Sequence, residues 1–111
     1  GPGTVNDIDR AHRHLSGATL GVVGLGGIGR EVARRASAFG MRVLAVDPKG
    51  AEPPPEVSAV WPVEELARLL GESDYVVIAA PHTPRTAGMF RREQFQQMKS
   101  DAYLINVGRG A

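Results

Sequence analysis

The sequence predicts an α/β fold, a doubly wound parallel sheet of about five strands with helices on both faces. Three observations predict it. Short, wholly apolar runs alternate with segments of helical period, a glycine-rich turn separates the first run from the first helix, and an acid closes the second run.

The first run, Leu20-Gly21-Val22-Val23, has no 3.6-residue period, which suits a strand buried on both faces of a parallel sheet. Gly24-Leu25-Gly26-Gly27-Ile28-Gly29 follows, in the pattern G-x-G-x-x-G. Gly24 permits a tight turn, Gly26 lets backbone approach a diphosphate with no Cβ in the way, and Gly29 allows close packing of helix on strand. The phosphates would lie at a helix N-terminus, on free N–H groups. The helix is expected to place Ile28, Val32, Ala33, Ala36 and Phe39 on its apolar face. Arg30, Glu31, Arg34 and Arg35 take the other face, and Gly40 stands just past the helix as its C′ residue.

The second strand, Val43 to Val46, ends in Asp47, about 20 residues past the glycines. An acid there accepts hydrogen bonds from both hydroxyls of an adenosine ribose and repels a 2′-phosphate, so the expected cofactor is NAD rather than NADP. Glycine-rich turns arise in many loops. Here the strand before, the helix after and the spaced acid occur together, which makes the turn a Rossmann-like dinucleotide site.

Pro48 and Pro53-Pro54-Pro55 cannot continue a helix, so the connection to the third strand is expected to be irregular and that strand short, about Ser58 to Trp61. Trp61 is expected to cap the edge of the core. Pro62 opens a helix at its first position, with Val63, Leu66, Ala67 and Leu70 facing inward, Glu64 and Glu65 in the first turn, and Gly71 ending it. Tyr75 to Ala80 is the next strand. A helix from about Arg92 to Met98 carries Phe95 and Met98 inward, and Ser100-Asp101 turns into a last strand, Ala102 to Val107. Right-handed crossovers give the strand order 3-2-1-4-5.

Composition excludes several classes. The 111 residues carry 13 Lys and Arg against 12 Asp and Glu, a formal charge of +1, with the arginines spread along the chain. That balance makes no case for nucleic acid or an acidic membrane surface. With no cysteine there is neither a disulfide framework nor a thiol nucleophile. No apolar run approaches a membrane span of roughly 20 residues, and a cytoplasmic location is the expectation. His12 and His14, two apart, do not share a helix face and are read as solvated, so no metal site is expected. Arg34-Arg35 and Arg91-Arg92 are read as solvated helix residues, and the proline-rich loop as a linker.

Two further stretches narrow the family. DYVVIAAPHTPRTAGMF, residues 74 to 90, and MKSDAYLINVGRGA, residues 98 to 111, follow the glycine motif in order. Together these blocks resemble the NAD-binding domain of the D-isomer-specific 2-hydroxyacid dehydrogenases, from about Leu15 to the end of the chain. The resemblance implies that Gly27 and Ile28 give backbone contacts to the diphosphate and Asp47 takes the ribose. It further implies that Pro81, His82 and Thr83 lie beside the cofactor at the end of the fourth strand, and Val107, Gly108 and Arg109 near the nicotinamide at the end of the fifth.

In the family, the arginine at the position of Arg109 holds the substrate's carboxylate and carbonyl oxygen. A guanidinium fork suits both tasks. Without the preceding Leu104-Ile105-Asn106-Val107, Arg109 would read as a solvated arginine in a turn. His82 is read as a cofactor-side position and not as the proton donor, because the family's donor is a histidine assisted by a glutamate that would lie beyond residue 111.

The resemblance also implies a domain arrangement. Residues 1 to 14 are read as a tag scar and polar lead-in, and residues 15 to 111 as a cofactor domain cut after its fifth strand, with the substrate domain absent. Such a fragment is expected to bind NAD at most and not to turn over. Its last strand would be an uncovered edge open to self-association. The full-length parent would act on a small 2-hydroxy or 2-keto acid and form a homodimer. A non-catalytic NAD-binding module, or an NAD-sensing regulator like the corepressors that resemble this family, stands as the alternative reading.

Overall fold

A computed structural model describes residues 15–50, 52–80 and 92–107. The chain runs β1 (Thr19–Val23), α1 (Gly27–Ala38), β2 (Arg42–Val46), β3 (Ala59–Trp61), a 3₁₀ turn (Val63–Glu65), α2 (Leu66–Glu72), β4 (Tyr75–Ile78), α3 (Arg92–Phe95) and β5 (Tyr103–Asn106). All five strands are parallel and lie in the order β3-β2-β1-β4-β5. This is the expected order, and successive strands are joined by the crossovers a parallel sheet requires.

The central strands are apolar throughout because each faces two ways. Leu20, Val22, Val43, Ala45 and Val77 form one core with Ala33 and Ala36 of α1, while Val23, Leu44, Val46 and Val76 form a second core with Leu66, Leu69 and Leu70 of α2. Alternate residues of one strand therefore enter different cores, the reason no single apolar face can be read from these runs.

Several boundaries and faces differ from expectation. Helix α1 meets the sheet through Gly29, Ala33 and Ala36, a narrow stripe of small residues, with Val32 half-buried beside it. Ile28 and Phe39 flank that stripe and are exposed, because close approach of small residues leaves the larger neighbours at its rim. Gly40 does follow the helix as its C′ residue, after Phe39.

The next helix begins one step later than expected. Pro62 precedes the first turn in extended conformation, and that turn is 3₁₀. Its buried stripe is Leu66, Leu69 and Leu70, with Ala67 exposed. Gly71 does not end it. The helix runs to Glu72, and Ser73 stops it by turning extended while its hydroxyl donates to the Leu69 carbonyl at 2.6 Å.

Near the end of the chain, α3 spans only Arg92–Phe95. Met98 packs against the second core as expected, whereas Phe95 is exposed. All four residues of β5 are exposed, Tyr103 at 61%. Trp61 is half-buried against the second core, with the Arg68 guanidinium 4.2 Å from its ring centre. No helix of the described residues is long and apolar enough to cross a membrane.

Candidate functional site

Trp61, Val46, Val23, Ile78 and Asn106 share one row across the sheet, so the residues after the strands emerge along a single edge. Main-chain bonds carry the ladder one step further. Asp47 N–H donates to Trp61 O at 3.1 Å, Gly24 N–H to Val46 O at 2.8 Å, Ala79 N–H to Val23 O at 2.9 Å and Val107 N–H to Ile78 O at 2.9 Å. Strand order reverses at β1, and in an open α/β sheet the crevice beyond the carboxyl ends at such a reversal receives ligands. Gly24 lies at this point.

The glycines of the turn serve different ends. Gly24 has φ +97°, and a Cβ there would lie 2.8 Å from the Ala80 nitrogen. At Gly29 a Cβ would overlap the Gly24 carbonyl oxygen. Both glycines are thus required by the fold. Gly26 is not: its φ is −76°, and a Cβ would meet nothing within 4 Å. What its missing side chain leaves is open space against the first turn of a 12-residue helix, whose leading N–H groups have no intrahelical acceptor. The space is one a diphosphate would fit, and the Gly27 and Ile28 amides come next along the turn; Ile28 is 48% exposed at its rim.

Asp47 stands beside this turn and is 7% exposed. Its Oδ2 accepts the Leu25 N–H at 2.8 Å, and its Oδ1 accepts the Lys49 N–H at 2.7 Å. The acid expected from spacing alone is therefore at the turn, already tied to it. Sequence reasoning missed Leu25 and Arg30. Leu25 is buried in the first core, and its carbonyl accepts from Arg30 Nε at 3.1 Å. An apolar residue between two turn glycines was the available signal.

Val107 follows β5 at the same edge, exposed. Pro81, His82, Thr83, Gly108 and Arg109 lie outside the described residues, as do His12, His14 and Arg91. The strands leading toward the first two groups, β4 and β5, end side by side, Ile78 opposite Asn106.

Elsewhere, ion pairs tie charged residues to one another. Glu31 holds Arg34 and Arg35, and Glu72 holds Arg42 and Arg68. The Arg34 hydrogen bond keeps the Glu31 carboxyl below its ordinary range, and Arg42 followed by Arg68 does the same for Glu72. At the opposite edge of the sheet, Asp74 accepts the Thr19 N–H at 2.8 Å and the Lys99 ammonium at 3.0 Å, which hold its carboxyl below the usual value, the backbone bond foremost. An open cleft of about 380 Å³ lies there, lined by Ala18, Asp74, Asp101 and the stacked rings of Tyr75 and Tyr103. It is away from the glycine turn.

The model of the D-isomer specific 2-hydroxyacid dehydrogenase NAD-binding domain matches residues 3–111. The chain belongs to this family. It is 40% identical over 96 residues to a D-3-phosphoglycerate dehydrogenase of Methanocaldococcus jannaschii, covering 86% of this chain and 18% of that protein. Among solved structures, a glycerate dehydrogenase related protein of Thermoplasma acidophilum superimposes with a TM-score of 0.77 at 39% identity, over 86% of this chain and 32% of the other. An NAD-dependent formate dehydrogenase of Staphylococcus aureus, solved in complex with NAD, superimposes at 0.75 with 32% identity, over 86% and 28%. The chain thus spans about a third, or less, of the length of these relatives. As a 2-hydroxyacid dehydrogenase NAD-binding domain, it places its glycine turn and Asp47 at the edge where a Rossmann-type sheet takes its ligand.

Proposed function

We propose that this chain holds NAD for an oxidoreductase that transfers a hydride between the nicotinamide and the carbinol or carbonyl carbon of a D-2-hydroxy or 2-keto acid. One observation carries the cofactor half: Gly26 is needed by neither backbone angle nor packing, and a Cβ there would point into free space at a helix N-terminus. A glycine that the fold does not require is accounted for by a ligand that does.

In this reading Gly24, Gly26, Gly27, Ile28 and Gly29 form the diphosphate cradle, and Asp47 accepts the ribose hydroxyls and disfavours a 2′-phosphate. Pro81, His82, Thr83, Val107 and Gly108 line the nicotinamide side. Arg109 grips the keto acid's carboxylate and stabilises the negative charge that grows on its carbonyl oxygen. NAD supplies the hydride chemistry when bound. A proton must reach the carbonyl oxygen as the hydride reaches carbon, and no residue of this chain is assigned that task. Substrate choice, the proton donor and dimer formation belong to the full-length protein.

A graft tests the reading. Exchanging this chain for the segment it matches in the M. jannaschii phosphoglycerate dehydrogenase should give a chimera that oxidises phosphoglycerate with NAD, and Arg109→Leu in that chimera should abolish turnover while leaving NADH binding. A folded chimera that binds no NADH would refute the cofactor role; full activity in the Arg109→Leu chimera would refute the role of the arginine. The 111-residue chain alone should not oxidise NADH with glyoxylate, hydroxypyruvate or pyruvate.

A further inference from the structure

Leu25 is held on three sides. Its side chain is 3% exposed, in contact with the first core, its N–H donates to Asp47 Oδ2 at 2.8 Å, and its carbonyl accepts from Arg30 Nε at 3.1 Å. It is also the residue between Gly24, which sets the turn, and Gly26, which faces the open cradle. Fixing Leu25 fixes the peptide planes on either side of it, and with them the direction in which the following amides point.

Asp47 is equally constrained. Each carboxylate oxygen takes one backbone N–H, from Leu25 and from Lys49, and the residue's own N–H bonds to Trp61. A carboxylate oxygen has two lone-pair sites, so one on each oxygen is left for a ribose hydroxyl. The side chain can hold the loop and a ribose together.

We propose that Asp47 and Arg30 set the glycine loop through Leu25, so that Asp47 is a positioning residue for the cofactor's diphosphate as well as an acceptor for its ribose. This deepens the reading of the turn as a dinucleotide site and rests on it. One consequence concerns cofactor choice. Replacing Asp47 removes the repulsion of a 2′-phosphate but also unpairs a buried loop amide, so the change alone weakens NADH without yielding a tight NADPH site.

Two measurements on the 111-residue chain test the inference. The first needs no ligand. In Asp47→Ala neither backbone donor, Leu25 nor Lys49, keeps its side-chain acceptor. Hydrogen exchange at Leu25 should accelerate on the order of tenfold or more relative to wild type, with the β2 ladder amides unchanged. Arg30→Met should accelerate the same loop amides. Unchanged exchange at Leu25 in Asp47→Ala overturns the clamp.

The second measurement separates loop from ribose by comparing ADP with 2′,3′-dideoxy-ADP, which keeps the diphosphate and lacks both hydroxyls. If Asp47 touches only hydroxyls, Asp47→Ala will weaken ADP and leave dideoxy-ADP at wild-type affinity, and the inference falls. If it sets the loop, dideoxy-ADP also weakens, on the order of tenfold, and ADP weakens further. Arg30→Met should weaken both nucleotides by the same factor. A wild-type chain that binds neither ADP nor NADH refutes the dinucleotide site and the diphosphate half of the inference, whatever the exchange rates show.

Discussion

Alanine at each of three turn glycines should give three different phenotypes. At Gly29 the new Cβ would overlap the Gly24 carbonyl oxygen, a backbone atom that can move only with the turn. Forcing a methyl against backbone in this way belongs at the upper end of the overpacking range, about 3 kcal/mol. The helical preference of alanine over glycine returns about 1 kcal/mol, leaving a net loss of about 2 kcal/mol. For a domain near 100 residues this lowers Tm by about 8–16 °C, with NADH binding weakened because the turn has shifted. Gly27→Ala meets nothing within 4 Å at the first helical position, and should leave Tm unchanged or slightly raised. Gly26→Ala also meets nothing, and its φ suits any residue, so only a small N-cap penalty of about 0.5 kcal/mol is expected. Yet its methyl would stand where the diphosphate approaches, and NADH affinity should fall at least about tenfold. Thermal melts followed by circular dichroism, paired with NADH titrations, read both quantities. A Gly29→Ala protein with wild-type Tm would refute the packing argument, and a Gly26→Ala protein with wild-type affinity would refute the cradle.

Two further outcomes are expected. Because the Thr19 amide and Lys99 lower the folded pKa of Asp74, its contribution is complete above the ordinary aspartate value of about 4 and is lost as pH falls through the lowered one. Its side chain is 39% exposed, which limits the effect to about 1 kcal/mol, so Asp74→Asn should destabilise the chain at pH 7 and flatten the fall in Tm between pH 5 and pH 2.5; an unchanged acid profile would refute this. The exposed apolar residues of β5, Leu104 and Ile105 among them, should make the chain associate as concentration rises, and Ile105→Lys should suppress it in sedimentation velocity. A monomer at every concentration would contradict that.

The parts of the fold that depend on local chemistry were legible in the sequence. Gly24 and Gly29 stand where the backbone leaves no alternative, Asp47 ends β2 at the turn, and the proline-rich stretch carries no helix among its described residues. Features set by tertiary contact were not. Ala67 and Leu69 are both compatible with a buried face, and only the position of β1 decides for Leu69, which lies against Gly21 so closely that a Cβ there would fall 2.6 Å from its Cδ2. Gly71 resembles a helix terminator, yet its φ is not positive, and the neighbouring Ser73 hydroxyl stops the helix instead. Ile28 and Phe39 follow the apolar period of α1 but fall beside a contact stripe made narrow by Gly29, Ala33 and Ala36. The clamp on Leu25 joins residues 22 apart in sequence, a pairing that exists only once β1 and β2 lie side by side.

The NAD site is tested most directly by a calorimetric titration of the 111-residue chain with NADH and, separately, with NADPH. Saturable binding of NADH and at least about tenfold weaker binding of NADPH are expected, since a buried carboxylate at Asp47 opposes a 2′-phosphate. No binding of either nucleotide, or equal binding of both, would contradict an NAD site built on the glycine turn and Asp47.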